Sequence, residues 1–160
     1  MGILDLFMND ESQAIVNLIK AWHFFLTHEL VVGITAATAG RSGGANNAAL
    51  AYLHTNGSPA HNIPPRPFLE PAIMNEEVYE QIKSLMMVAA EAALIDGDIS
   101  RCEQAWEMAG LFAAQKVKEY IAGGVPPPNR PSTIRRKGSS TPLVDTGQLM
   151  NSITYEVRKK

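Results

Sequence analysis

The sequence predicts an α+β fold: a small, mainly antiparallel sheet packed against a long helical hairpin, with long irregular loops. Three observations predict it. Two long stretches in the middle of the chain carry apolar residues at the helical period, with a short turn between them. Two short β-branched runs, one well before this pair and one after it, have the length of strands. The remaining stretches hold most of the 12 Gly and 10 Pro, enough to interrupt regular structure wherever they cluster.

The elements follow in chain order. Asn9, Asp10, Glu11 and Ser12 offer polar caps to a stripe of Ile15, Leu18, Ile19 and Trp22, whose spacing places all four on one helical face, so a first helix is predicted over 10–28. Leu30, Val31, Val32 and Ile34 predict a strand over 29–35. Residues 36–47 hold Gly40, Gly43 and Gly44 among Ala, Ser and Asn, with nothing for a core to grip, and read as a mobile loop. Ala48 to His54 is a short helix-favouring run. Gly57, Pro59, Pro64, Pro65 and Pro67 then make an irregular loop of 55–67, which Phe68 and Leu69 anchor to the core.

Val78, Ile82, Leu85, Met86, Ala89 and Ala93 form the first helix of the hairpin, and Asp96-Gly97-Asp98 is its turn. Ser100 and Glu103 have the spacing of a capping box for the second helix, which carries Cys102, Trp106, Ala109, Ala113, Val117 and Tyr120 on one face. Gly123-Gly124 ends it, and Pro126-Pro127-Pro128 forbids continuation. An irregular loop over 123–145 follows, holding Arg130, Arg135, Arg136 and Lys137; loops this long in a compact domain usually have work to do. Asp145-Thr146-Gly147-Gln148 reads as a second capping box, with Asp145 capping a short helix and Gly147 admitting a neighbouring backbone. Leu149 and Ile153 bury the junction with a last strand, where Ile153, Tyr155 and Val157 alternate with polar residues. Arg66, held by a proline on either side, presents a planar fork of donors suited to a carboxylate or to backbone carbonyls. The 160 residues read as one domain with no internal repeat.

Composition narrows the class. With 46% hydrophobic and 19% charged residues, wholesale disorder is excluded. A net charge of −2 argues against a dedicated nucleic-acid binder. No uncharged apolar run approaches the ~18 residues of a membrane span, and residues 1–8 carry Asp5 without a basic flank, so no secretory leader is expected. The lone Cys102 excludes an internal disulfide and fits a reducing cytoplasm; on an apolar helix face it reads as an inert core thiol.

No catalytic, cofactor or metal site is predicted. His54 and His61 lie far from His23 and His28 and lack a third ligand, so they read as loop histidines. Counting from Asp96 as the first position of a calcium loop puts Glu107 twelfth, but Arg101 occupies the position that needs glycine, and the turn reading wins. Ser100, Ser139 and Ser140 lack a nucleophile elbow, and Gly40, Gly43 and Gly44 lack the Lys-Ser/Thr of a phosphate loop. The Arg130, Arg135, Arg136 and Lys137 cluster is a candidate for non-specific contact with DNA phosphates, against the plainer reading of a solvated loop. Repeated around a ring, its field would sum at the lumen, and Arg158, Lys159 and Lys160 would add to it or simply fray.

Three segments together carry a family resemblance. Pro142-Leu143-Val144-Asp145-Thr146-Gly147-Gln148-Leu149-Met150-Asn151-Ser152-Ile153 resembles the PL-DTG-L--SI signature of phage tail-component and virion-morphogenesis proteins, which include tail-completion proteins of long-tailed phages. Ile63-Pro64-Pro65-Arg66-Pro67-Phe68-Leu69 with Pro71-Ala72 resembles that family's IP-RPFL-PA segment, and Pro128 to Lys137 its P-S--T---K stretch. The resemblance spans 29–158 with its elements in the family's order. It departs where the family carries EFG and this chain has His54-Thr55-Asn56-Gly57, keeping only the glycine. The resemblance implies a non-enzymatic structural subunit of the virion, made in the host cytoplasm, that completes the tail or joins head to tail. It implies a homo-oligomer, often a six-fold ring around the DNA channel, meeting head–tail connector, tail terminator or tail tube proteins. Arg66, Phe68, Asp145, Gly147, Leu149 and Ile153 are then assembly residues, and Arg130, Arg135, Arg136 and Lys137 channel residues. The competing expectations are a minor tail or baseplate-proximal component and, from another class, a DNA-binding or packaging accessory.

Overall fold

The computed structural model describes residues 3–41 and 44–160, with residues 3–11 described by backbone alone. The fold is α+β. Helices α1 (Ile3–Thr27), α2 (Asn47–Asn56), α3 (Leu69–Ile73), α4 (Glu76–Leu94), α5 (Ile99–Gly123), α6 (Pro131–Lys137) and α7 (Gln148–Asn151) accompany strands β1 (His28–Gly33) and β2 (Thr154–Lys159), which pair antiparallel. The chain divides into two compact units: Met1–Val31, Glu80–Gly110 and Glu156–Lys160 in the first, Val32–Tyr79 and Leu111–Tyr155 in the second. No helix among the described residues is long and apolar enough to cross a membrane.

In the first unit, small residues let helices approach closely. Ala89, Ala92 and Ala93 of α4 meet Cys102, Ala105 and Trp106 of α5, and Ala21 and Phe24 of α1 close the cluster. The Phe24 ring lies edge-on to Trp106 at 5.0 Å and stacks on His28 at 4.5 Å, both favourable aromatic geometries. Leu30 and Val157 pack the sheet onto this core, and Arg158 Nε donates to Glu29 across the strands at 2.8 Å. Between α4 and α5 the chain turns through Gly97 (φ 67°), beside the buried Asn17 of α1, which accepts a hydrogen bond from Gln13.

Three expectations need correction here. The first helix starts at Ile3, not residue 10: the polar run 9–12 holds no Gly or Pro, so nothing stops a helix already begun upstream. The stripe of Ile15, Leu18, Ile19 and Trp22 is also the face that α1 leaves in water, Trp22 being 64% exposed. Asn17, Ala21 and Phe24, at the same periodicity, are the buried face. The predicted capping box at Ser100–Glu103 gives way to Asp98, whose Oδ1 accepts from the Arg101 amide at 2.9 Å, while the Asp96 carboxylate holds the Arg101 guanidinium at 2.7 Å.

The second unit is built on Phe68, which is fully buried with Ala72, Ala114, Val117, Ile121, Val125 and Ile153. Val32 and Tyr155 bring the sheet onto it. Burying Phe68 removes an aromatic ring from water, worth about 1.5–3 kcal/mol. The loop expected over 123–145 contains α6, which opens on Pro131 and closes on Gly138 in the left-handed region, the Pro-first, Gly-last signature of a short helix. The loop expected over 55–67 contains a 3-10 turn at Pro59–His61, closed by paired hydrogen bonds between Ser58 and Ile63. Of the loop 36–47, residues 42 and 43 lie outside the described residues; Thr38 and Ala39 close a turn on the Thr35 carbonyl, and Asn47 already belongs to α2.

Candidate functional site

The second unit encloses a cavity of about 760 Å3, and its walls explain why the surrounding sequence folds as it does. The buried Asn47 donates to the Gly40 carbonyl at 3.0 Å and accepts from Arg41 Nη1 at 3.2 Å, which aims Arg41 at the cavity. Asn46 caps α2 by accepting from the Ala49 amide at 2.8 Å. The helix ends at Gly57, whose φ of 74° and close approach to Pro65 exclude any side chain. The returning segment then passes so close that the Arg66 amide donates to the His54 carbonyl at 2.6 Å.

Arg66 uses its fork on backbone carbonyls. Nε donates to the Pro127 oxygen at 2.8 Å and Nη2 to the Pro128 oxygen at 3.3 Å, tying the proline-rich loop to the segment after α5. From there Arg130 leads into α6, whose turn sets Thr133 beside Arg136 and Lys137 on the cavity side, while Arg135 is exposed and not among the lining residues. Lys137 Nζ donates to the Thr141 carbonyl at 3.0 Å. Residues Leu143 and Asp145 to Leu149 complete the wall, and α7 packs against α2.

The cavity is therefore lined by five cationic side chains, Arg41, Arg66, Arg130, Arg136 and Lys137, and by one carboxylate, Asp145. None of the five forms an ion pair among the described residues, and the hydrogen bonds made by Arg41, Arg66 and Lys137 go to neutral oxygens. Their field acts on His54: burial, followed by the charges of Arg66, Lys137 and Arg41, holds its pKa below the ordinary value, and its buried Nδ1 has no hydrogen-bond partner among the described residues. Burial likewise lowers Lys137, Asp145 offsetting part of the effect. Backbone strain gathers here as well. The two non-glycine residues with positive φ among the described residues, Asn62 (54°) and Leu143 (63°), both line the cavity.

The predicted assembly residues thus separate. Arg66, Asp145, Gly147 and Leu149 lie at the cavity, whereas Phe68 and Ile153 are core. Asp145 does not cap α7, which starts after Gly147 (φ 77°) with no side-chain cap; a Cβ on Gly147 would meet only Asn151 at an ordinary 3.6 Å, so its backbone angle, not a close neighbour, calls for glycine. Of the basic cluster, Arg130, Arg136 and Lys137 line the cavity and Arg135 does not; Arg158 pairs with Glu29, and Lys160 donates to the Phe25 carbonyl. Sequence reasoning missed Arg41 and gave His54 no role beyond the loop. Both come to the site through Asn47 and Gly57, whose contacts lie six to eight residues away, outside helical or strand periodicity. His61 shares a hydrogen bond with Ser58 at 2.9 Å, and no group of three or more His, Cys, Asp or Glu among the described residues could hold a metal ion.

The first unit presents a different feature. The α1 face of Ile15, Leu18, Ile19, Trp22 and Leu26 is exposed, and over residues 12–27 the helix carries Lys20 as its sole Asp, Glu, Lys or Arg. Such a ridge is typical of a surface that meets another protein. No family model, no curated protein and no solved structure matches this chain.

Proposed function

We propose that this chain is a structural subunit of a tailed-phage particle, one that completes the tail or joins it to the head as a ring of copies around the DNA channel. The observation that carries the assembly part of this reading is the exposed α1 face: Ile15, Leu18, Ile19, Trp22 and Leu26 lie at seam-like spacing on a nearly uncharged helix. Leaving those groups in water is unfavourable, and in a ring each copy would bury this ridge on a different face of its neighbour.

The virion part rests on the resemblance, and the second unit supports it physically. Its three motif segments, at 63–72, 128–137 and 142–153, contribute to one connected structure: Arg66 grips the carbonyls of Pro127 and Pro128, and Asp145 to Leu149 face the same cavity as Arg66 and Arg136. Such a signature serves architecture. Arg66 ties loops 55–67 and 123–145 to each other within one chain, which leaves subunit contacts to α1.

The test is deletion of the reading frame from the phage genome that carries it, followed by electron microscopy of the lysate. Filled heads and separate tails are the expected products. Intact infectious particles without the polypeptide would overturn the reading.

A further inference from the structure

We propose that the cationic cavity of the second unit binds an acidic peptide segment of a partner protein, a conclusion that stands whether or not the chain belongs to a virion. Five cations converge on a concavity with one carboxylate among them, and none is neutralised by an ion pair among the described residues. Like charges held together in a partly buried space repel, so the arrangement is complete only when anionic groups enter. A volume of about 760 Å3 falls among cavities that enclose a ligand of several residues' bulk, not a single ion.

The remaining wall chooses among anions. Leu50, Ile63, Pro64, Leu143 and Leu149 provide apolar surface that a bare phosphate cannot use and that apolar side chains next to a carboxylate can. Among the described residues His54 is the one aromatic ring at the cavity wall, so unpaired bases lack the row of platforms on which successive bases stack. Arg66 is nearly buried and committed to carbonyls, and Lys137 is half-buried, so duplex phosphates cannot reach them as they reach charges on an open face. Asn62 and Thr133 add polar side chains suited to a peptide backbone, and the strained backbone at Asn62 and Leu143 is what a built ligand clamp shows.

The experiment uses the full chain and a short, capped, fluorescent peptide of alternating glutamate and leucine, read by polarisation at low and high salt. Inorganic phosphate, a single-stranded oligonucleotide and the glutamine counterpart of the peptide are the comparison probes. The double variant R130Q/R136Q removes two cations whose side chains make no hydrogen bond among the described residues, and circular dichroism checks that it is folded. The expected result is saturable binding of the acidic peptide, weakened by salt and about ten-fold or more by R130Q/R136Q, with the His54 ring signals shifting on binding. Absence of saturable binding, equal binding of the glutamine peptide, indifference to R130Q/R136Q in folded protein, or tighter binding of phosphate or oligonucleotide would each overturn it.

Discussion

Arg66 and Pro127 are 61 residues apart and joined by a hydrogen bond of 2.8 Å from Nε to the carbonyl oxygen, with Pro128 accepting beside it. Both acceptors lie in an exposed run of three prolines, where the fork of Arg66 takes the place of water on two successive carbonyls.

Replacing Arg66 with Ala is therefore expected to cost roughly 1.5–3 kcal/mol, the range for hydrogen bonds from a charged donor. Arg66→Lys recovers only part of this, because one ammonium cannot span two carbonyls in a plane. Urea denaturation of the three proteins checks the order.

His54 makes stability depend on pH. Its folded pKa lies below the ordinary 6.5, chiefly through burial and then through Arg66, Lys137 and Arg41. As pH falls through 6.5 the unfolded chain takes up a proton that the folded chain refuses, so the unfolded state binds more protons and stability falls with pH. The contribution is complete above that value, and its slope is at most about 1.4 kcal/mol per pH unit. Denaturation midpoints between about pH 7.5 and 5 should fall less steeply in His54→Gln than in the parent.

Much of the architecture was legible because it is written in local pattern. Cys102, Trp106, Ala109, Ala113 and Val117 announce the buried face of α5, and all five are buried. Periodicity also marked Ile15, Leu18, Ile19 and Trp22 as one face of α1, but it cannot say whether a face meets the chain's own core or another molecule. Here Ala21 and Phe24 fit the small-residue surface of α4 and α5 instead. Asp98 outcompeted Ser100 as a cap because a helix begins where the turn delivers it, and the turn is fixed by Gly97 against Asn17. Helix α6 was legible in Pro131 and Gly138, though the surrounding prolines and arginines obscured it. The cavity was the least visible part. Arg41, Arg66 and Lys137 are far apart in sequence and meet only because buried Asn47 and the Arg66 fork fold their loops together.

Gly57 and Gly138 separate two costs of adding a side chain. Both have positive φ, 74° and 72°, but a Cβ on Gly57 would lie 2.7 Å from the Pro65 nitrogen and 2.8 Å from the Ile63 oxygen, whereas Gly138 faces open space. Gly138→Ala is expected to cost only the backbone penalty of about 1–2 kcal/mol. Gly57→Ala should cost clearly more, because the chain returning toward Arg66 must move. Thermal melts of the two variants give the comparison directly.

Cys102 sits at 0% exposure in the alanine-rich core of the first unit, and burial, aided by Glu103, pushes its thiol pKa up to about 11. At pH 8 almost no thiolate is present and no reagent reaches the sulfur. A chromogenic disulfide should label the native chain far more slowly than the urea-unfolded one. Fast labelling under native conditions would show that α4 and α5 separate readily.

The α1 face predicts how the subunit assembles. Ile19 and Trp22 are 63% and 64% exposed in the single chain and take no part in its core cluster. Surface substitutions of this kind usually change stability by no more than about 0.5 kcal/mol, so Ile19→Glu should leave the melting temperature of a dilute sample nearly unchanged. In an association of copies through α1, the same carboxylate would be buried without a partner. Sedimentation velocity over a range of concentrations should then find oligomers in the parent and a single small species in Ile19→Glu. Oligomers that persist in the variant would move the subunit contact away from α1, and a parent that stays monomeric at every concentration would leave the ridge to a different protein.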